Sequence, residues 1–373
     1  MTRRILFLVS SMNSGGAERV AANLANAWVE RGDEVTLVVT YSRRGGCFYS
    51  LSEDVELRYL ADLAGYSSRQ NPLRQIKRLL ALRRLIKATQ PDVVLSFLPN
   101  VNISALAASF FSGYSVIVSE HTYPPMASVS WFYQFLRRWT YPYAARVVML
   151  TSEGLDWLKD KIPRARGAVI PNPVPYPLPV FEPSLVPESL VTADRKLLLA
   201  VGRMNEGKQF DRLIEAFSMH AERHQDWDLV ILGEGSLREV LELQIQASGL
   251  NTRVHLPGQV GNVGDWYQRA DLYVMSSRYE GFPNTLAEAM AYSCAAVSYD
   301  CDTGPRDIIR HGVDGLLVNP VGDVSALASA LDQLMWDDEA REHMGRRAIE
   351  IRERYSLESI LTMWDKLFDE VTK

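Results

Sequence analysis

Apolar positions along this chain alternate between two patterns. Short continuous runs occupy 5–9, 35–39, 93–97, 116–119 and 147–150 in the first half. Between them, 17–31 and 75–87 repeat apolar residues at helical spacing, which predicts strands separated by amphipathic helices. The rhythm restarts later, with strand-like runs at 196–201, 228–232, 254–256, 272–275, 295–299 and 316–318. Helical patterns fall at 210–222, 237–248, 285–292, 324–336 and 338–355, and an amphipathic segment at 357–368 comes last. Continuous apolar runs joined by helical crossovers predict parallel sheets buried on both faces. The expected fold class is therefore α/β, with two doubly wound domains. Ligands of such sheets collect outside the strand carboxyl ends, so a site is expected in a cleft between the domains.

From Pro171 to Pro187 the chain holds seven of its 18 prolines. Proline at that density fixes the backbone and excludes helix, as a semi-rigid linker requires. The expected division is 1–172, a linker at 173–194, and a second domain at 195–356.

Composition narrows the class further. A chain of 373 residues, 47% hydrophobic and 23% charged, is neither fibrous nor disordered. Cys47, Cys294 and Cys301 are too few and too scattered for a disulfide framework or a zinc site, and fit reduced thiols. Arg3-Arg4 before a short apolar run imitates a signal peptide. Gly15-Gly16 interrupts the run, however, and a first strand is the expectation. No stretch of about 18 apolar residues occurs, so no membrane span is expected. The net charge of −5 conceals an asymmetry: residues 1–170 carry 21 Lys+Arg against 13 Asp+Glu, and the remainder 19 against 32. The halves are thus +8 and −13.

Candidate chemistry is densest in Glu280-Gly281-Phe282-Pro283-Asn284-Thr285-Leu286-Ala287-Glu288, which follows one strand-like run and opens a helix. A helix N-terminus with free amides binds phosphate without a metal. The turn Gly281, Phe282, Pro283, Asn284 and Thr285 is therefore expected to face a ligand. Glu280 at the turn and Glu288 one turn into the helix can both accept hydroxyls of a sugar or ribose. Arg203 and Lys208 follow the 196–201 run, and two cations there can neutralise a departing diphosphate. Singly, each of these also fits a capped loop or a solvated cation. His121 follows the 116–119 run, while His220, His224, His255, His311 and His343 read as structural. Gly15 and Gly16 follow the first run, but neither G-x-G-x-x-G nor an acid ending the second strand is present, which disfavours a dehydrogenase.

Together these residues resemble the retaining nucleotide-sugar glycosyltransferases of the two-Rossmann GT-B fold, family 4. Glu280 to Glu288 matches the E-x7-E signature of that family. The likeness extends through Ser14-Gly15-Gly16-Ala17-Glu18, Ser119-Glu120-His121, Pro171-Asn172-Pro173, Gly202-Arg203 with Lys208, Gly258-Gln259-Val260 and 312–318. It implies that 1–172, with 357–373 packing back, is an acceptor-binding Rossmann-like domain, and that 195–356 binds the nucleotide sugar. It also implies roles: Glu280 on hydroxyls of the donor hexose, Glu288 on the ribose, Arg203 and Lys208 on the diphosphate, and Val260 on the base through its backbone. Gly15 and Gly16 would let the first loop approach the phosphates. His121 would hydrogen-bond the transferred sugar. The reaction implied proceeds on one face, with the leaving phosphate accepting the acceptor's proton and no carboxylate nucleophile of the double-displacement kind. No cofactor is implied. Asp300-Cys301-Asp302 has the spacing of a metal-binding D-x-D, but its continuation Thr303-Gly304-Pro305-Arg306-Asp307 resembles a strand-end loop beside the donor sugar. Asn284 and 303–305 are expected to help choose the donor epimer.

The positive charge of the first half is concentrated between Arg69 and Lys87, with seven Lys/Arg and no acid. Leu79, Leu82, Leu85 and Ile86 mark one face, and Arg74, Lys77, Arg78, Arg84 and Lys87 cover the rest. That pattern fits a helix on an anionic membrane surface, or a sheet-covering helix with a solvated face. The stretch 131–146 is rich in aromatics, with Arg137, Arg138 and Arg146, as at a membrane interface. No nucleic-acid motif occurs, and no such partner is expected. Within family 4 the first half is similar to bacterial enzymes that extend undecaprenyl-diphosphate-linked glycans. Asn13-Ser14-Gly15-Gly16-Ala17-Glu18-Arg19, Ser96-Phe97-Leu98, Ser119-Glu120-His121 and the basic segment carry that likeness. It implies a UDP-sugar donor of a hexose or N-acetylhexosamine, GalNAc first, and a lipid-diphosphate-linked glycan acceptor. The location implied is cytoplasmic, peripheral on the inner face of the cytoplasmic membrane. A soluble or glycolipid acceptor, or an inactive nucleotide-sugar-binding protein, is the alternative.

Overall fold

The computed structural model describes residues 2–13, 15–41, 47–64, 72–125 and 130–372. It forms two compact units, Met1–Pro173 with Leu357–Lys373, and Val174–Ser356.

Unit 1 holds strands β1 (Arg4–Val9), β2 (Glu34–Val39), β3 (Glu56–Tyr59), β4 (Val93–Phe97), β5 (Ser115–Glu120), β6 (Arg146–Met149) and β7 (Gly167–Val169). They form one parallel sheet in the order β3-β2-β1-β4-β5-β6-β7, with Ile5 opposite both Val35 and Val93. Unit 2 holds β8 (Lys196–Val201), β9 (Trp227–Leu232), β10 (Val254–Gly258), β11 (Leu272–Met275), β12 (Ala296–Tyr299) and β13 (Gly315–Val318), in the parallel order β10-β9-β8-β11-β12-β13. Both are Rossmann-like, and the strand order reverses between β1 and β4 and between β8 and β11. Those reversals open crevices at the carboxyl edge. Every residue of β4 and of β9 is buried, as expected of a central strand covered on both faces.

Several elements escape the hydrophobic pattern. The edge strands β3 and β7 are largely half-exposed, so no continuous apolar run marks them. The helix Pro99–Ser109 is apolar on nearly every side and so shows no amphipathic period; Pro99 at its first turn supplies the start signal. The segment expected as one helix over 338–355 breaks into Asp338–Ala348 and Ile351–Arg354.

The last helix, Leu357–Val371, belongs to unit 1. Its Trp364 and Phe368 close over the buried Trp28, with ring centroids 6.2 and 5.4 Å away. Asp365 pairs with Arg3 and Arg31, each at 2.7 Å. This helix carries more acids than lysines, so unit 1 as folded has a net charge of +6 rather than +8, and unit 2 has −11.

The proline-rich stretch is hydrogen-bonded along unit 2. Phe181 N donates to Gly261 O (3.1 Å), Gly261 N donates to Pro183 O (2.6 Å), and the Asn262 amide bonds both the N–H and the carbonyl of Leu185. Among the described residues no helix is long and apolar enough to cross a membrane.

Candidate functional site

The carboxyl edge of unit 2 gathers most of the predicted residues. After β8 the chain turns through Gly202-Arg203 to Lys208. The turn is braced by Met204 N donating to Glu234 O (2.9 Å), so Gly233-Glu234-Gly235 serves as a wall for this loop. Arg203 is exposed, with no ion-pair partner among the described residues. Lys208 instead reaches across to the loop after β11, where its Nζ lies 2.5 Å from Glu280 Oε1. Both side chains are mostly buried. Ser276 Oγ donates to Lys208 O (2.8 Å) and Arg278 N donates to Gly207 O (2.8 Å), which joins the two loops side by side.

Pro283 occupies the N-cap of the helix Asn284–Ala291, with no side-chain cap. Phe282 is buried edge-on against Tyr355, 5.6 Å between centroids, so it anchors the turn from below. Gly304 fixes the neighbouring loop: its φ is +97°, and a Cβ there would sit 2.4 Å from Pro283 Cδ. Thr303 Oγ1 donates to the carbonyl of Glu280. Glu288 is buried and accepts from Tyr267 OH at 3.3 Å. The Tyr273 hydroxyl donates to Thr285 Oγ1 (2.9 Å). Burial pushes the Tyr273 pKa up, and the charges of Glu280 and Glu288 both add to this. Tyr267 and Tyr273 carried no sequence signal, since each lies outside the signature and meets it only through the fold, whereas Thr303 belongs to the loop expected beside the donor sugar. Val260 lies just past β10, beside the Gly261 that the proline-rich stretch holds. Asp300 is engaged by Arg306 Nε (2.9 Å) and Asn319 Nδ2 (3.1 Å).

In unit 1, Gly15 N-caps the helix Gly16–Glu30. A Cβ on Gly15 would lie 2.1 Å from Glu18 Oε2, because that carboxylate curls back and accepts from Ser11 Oγ (2.6 Å). Glu18 thus occupies the electropositive helix start. Ser14 lies outside the described residues. His121 follows β5, with its ring 3.9 Å from that of Phe97 and its Nε2 3.3 Å from Ser119 Oγ. Burial pushes the His121 pKa down to about 3, so the imidazole is neutral. Its Nδ1 has no hydrogen-bond partner among the described residues.

The basic segment folds as the helix Pro72–Thr89. Leu82, Leu85 and Ile86 are buried in the core of unit 1, with Leu79 packed against it, so the apolar face covers the sheet and is not free for a bilayer. Arg78 stacks over Tyr41 at 4.7 Å, and Arg83 donates to Ala108 O and Phe110 O, capping the helix Pro99–Ser109. Lys77, Arg84 and Lys87 remain exposed, beside exposed Ile76 and Leu80. Arg69 and the side chain of Arg74 lie outside the described residues. The aromatic stretch forms the helix Trp131–Thr140. There Arg137, grouped above with an interfacial belt, is buried, because it pairs with Glu120. Arg146 pairs with Glu370 at 3.1 Å.

Comparison with known proteins agrees with this architecture. Residues 15–173 match the glycosyl transferase 4-like domain, and 183–351 match glycosyl transferases group 1. Over 371 residues the chain is 29% identical to a Campylobacter jejuni protein named GalNAc-alpha-(1->4)-GalNAc-alpha-(1->3)-diNAcBac-PP-undecaprenol alpha-1,4-N-acetyl-D-galactosaminyltransferase, covering 99% of each. Among solved structures it resembles sucrose-phosphate synthase from Thermosynechococcus elongatus (TM-score 0.83, 18% identity, 99% of each chain). It also resembles Anabaena HepE in complex with UDP (TM-score 0.81, 19% identity, 98% of this chain and 99% of that one). A paired-carboxylate signature at a helix start, two Rossmann-like units and family matches along both halves lead to one conclusion: the chain belongs to the group 1 glycosyltransferases, with the GT-B fold.

Proposed function

We propose that the protein is a retaining, metal-independent transferase that moves a hexose or N-acetylhexosamine, GalNAc as first choice, from a UDP-sugar to an undecaprenyl-diphosphate-linked glycan. The observation that carries this reading is the Lys208–Glu280 pair beside the uncapped start of Asn284–Ala291, with Glu288 buried within that helix. A cation, free helix amides and carboxylates supply the opposite chemistries that a diphosphate, a hexose and a ribose need. Arg203 and Lys208 hold the diphosphate as charge develops on it. Glu280 orients the hexose, Glu288 accepts from the ribose, and neutral His121 hydrogen-bonds the transferred sugar. The bond from the anomeric carbon to phosphate breaks as the acceptor oxygen bonds the same face, and the leaving diphosphate takes the acceptor's proton.

The named activity of the Campylobacter relative supports the lipid-linked acceptor and GalNAc. Exposed Lys77, Arg84 and Lys87, together with the outward aromatics of Trp131–Thr140, support a peripheral position at the cytoplasmic face of the membrane. A panel of UDP-sugars against a lipid-diphosphate acceptor analogue tests the proposal. UDP release with transfer to that acceptor is expected. Transfer only to soluble sugars overturns the acceptor reading, and no UDP release with any donor overturns the enzyme reading.

A further inference from the structure

The helix Trp131–Thr140 has inverted polarity. Its exposed side chains are aromatic apart from Gln134 and Arg138, with Trp131 78% and Trp139 62% exposed, whereas Arg137 is 2% exposed and lies inward beside Tyr133 and Leu136. Arg137 Nε lies 3.2 Å from Glu120 Oε1, and the Tyr141 hydroxyl donates to the same oxygen. Tyr141 in turn accepts from Asn102 Nδ2 (3.1 Å), which also donates to Ser119 O (3.0 Å), while Asn102 Oδ1 accepts from Ser96 Oγ (2.8 Å). Ser119 and Glu120 are the two residues immediately before His121. The end of β5 is therefore held from beneath by a continuous run of buried polar groups ending on Arg137.

Stability alone does not account for such a pair. Burying two charges costs several kcal/mol, and apolar residues of similar volume usually replace a buried ion pair without loss. Glu120 Oε2 and Arg137 Nε and Nη2 also lack hydrogen-bond partners among the described residues, so the two side chains meet as an ion pair without a well-aligned hydrogen bond and the pair is not fully satisfied. What it does supply is a fixed place for the residue that follows. Among the described residues, His121 itself is held only by the Phe97 ring and Ser119 Oγ.

We propose that Arg137, acting through Glu120 with Tyr141 and Asn102, is a positioning residue for His121, setting the turn after β5 so that the unpartnered imidazole nitrogen meets the transferred sugar. The proposal rests on the assignment of His121 to the sugar under Proposed function. Because Arg137 is carried by the helix with the outward aromatics, the same pair links that outer face to the sugar-contacting histidine.

Arg137→Met should lower kcat about 100-fold, the scale of a misplacement of roughly 1 Å. Affinity for UDP, bound by unit 2, should stay unchanged. The His121 ring protons, shifted upfield by Phe97 in the native protein, should move toward ordinary values in the NMR spectrum. The double variant E120L/R137M removes both charges, so its melting temperature should return to the native value or above while kcat stays low. If R137M fails to fold, the double variant carries the test. Recovery of turnover to within threefold in the double variant, or native His121 resonances in R137M, overturns the proposal. His121→Ala separates the premise: native turnover there overturns the sugar contact, whereas the resonances in R137M still report whether Arg137 positions the ring.

Discussion

Replacing Glu280 by alanine tests the centre of the unit 2 site. The substitution strands Lys208, whose ammonium lies 2.5 Å from the lost carboxylate in a mostly buried position. Exposed pairs are worth up to about 1 kcal/mol, and breaking a fully buried one costs about 3–5 kcal/mol. This intermediate case should cost about 2 kcal/mol. For a unit of this size that is a fall of about 6 °C in melting temperature. The effect on turnover is larger. Hydrogen bonds to a charged group contribute about 1.5–3 kcal/mol each, and Glu280 can make two to the hexose. Losing both lowers kcat/KM by about 10²–10⁴. On the proposed role of Lys208 as a diphosphate cation, UDP itself should move the other way, because Glu280 neutralises that ammonium. Calorimetric titration of UDP into E280A should show affinity equal to or severalfold above native, while radiolabelled transfer collapses. Weakening of UDP binding by more than about tenfold, or transfer within threefold of native, would refute this account of the pair.

Other expectations concern the rest of the molecule. Trp28→Ala empties the contact with Phe7, Trp364 and Phe368 and should destabilise unit 1 by about 3–5 kcal/mol in chemical denaturation; a loss under 1 kcal/mol would mean the last helix is not docked there. The triple variant K77Q/R84Q/K87Q should weaken flotation with anionic vesicles about 100-fold at low salt, at about 1 kcal/mol per cation, and equal flotation of variant and native would remove this helix from the membrane contact. His121 has a folded pKa near 3 against an unfolded value near 6.5. The unfolded chain therefore binds the extra proton between those values, and the stabilisation is complete above about pH 6.5 and lost as pH falls toward 3. An NMR titration of His121 with a midpoint near 6.5 would contradict this. Transfer should persist in excess chelator, and its abolition with recovery on adding a divalent cation would overturn the metal-independent reading.

The sequence revealed buried strands well and half-buried ones poorly. A run such as 93–97 is apolar because both its faces are covered, whereas Glu56–Tyr59 lies at an edge and mixes polar with apolar residues. The Glu280–Glu288 signature and the Arg203–Lys208 spacing are local and so could be read directly. That Lys208 pairs with Glu280, 72 residues away, depends on β8 and β11 being neighbours, which no local pattern records. The helix Trp131–Thr140 misled in a definite way. A buried arginine and exposed aromatics reverse the usual polarity, so composition marked the stretch correctly as aromatic and basic but assigned Arg137 to the wrong side. The basic helix Pro72–Thr89 shows the opposite limit, since an apolar stripe looks the same whether a sheet or a lipid surface covers it.

The docking of Leu357–Val371 on Trp28 also imposes an order on synthesis. Unit 2 is a single uninterrupted segment and has all its strands once Ser356 has been made. Unit 1 starts before unit 2 and is completed after it, for Trp364 and Phe368 follow Ser356 in the chain. Domains usually complete in the order in which they leave the ribosome; here the N-terminal sheet waits with an uncovered tryptophan while the second unit closes. A stop codon just before the last helix would therefore harm the unit farthest from it in sequence, leaving unit 2 whole and unit 1 without its lid.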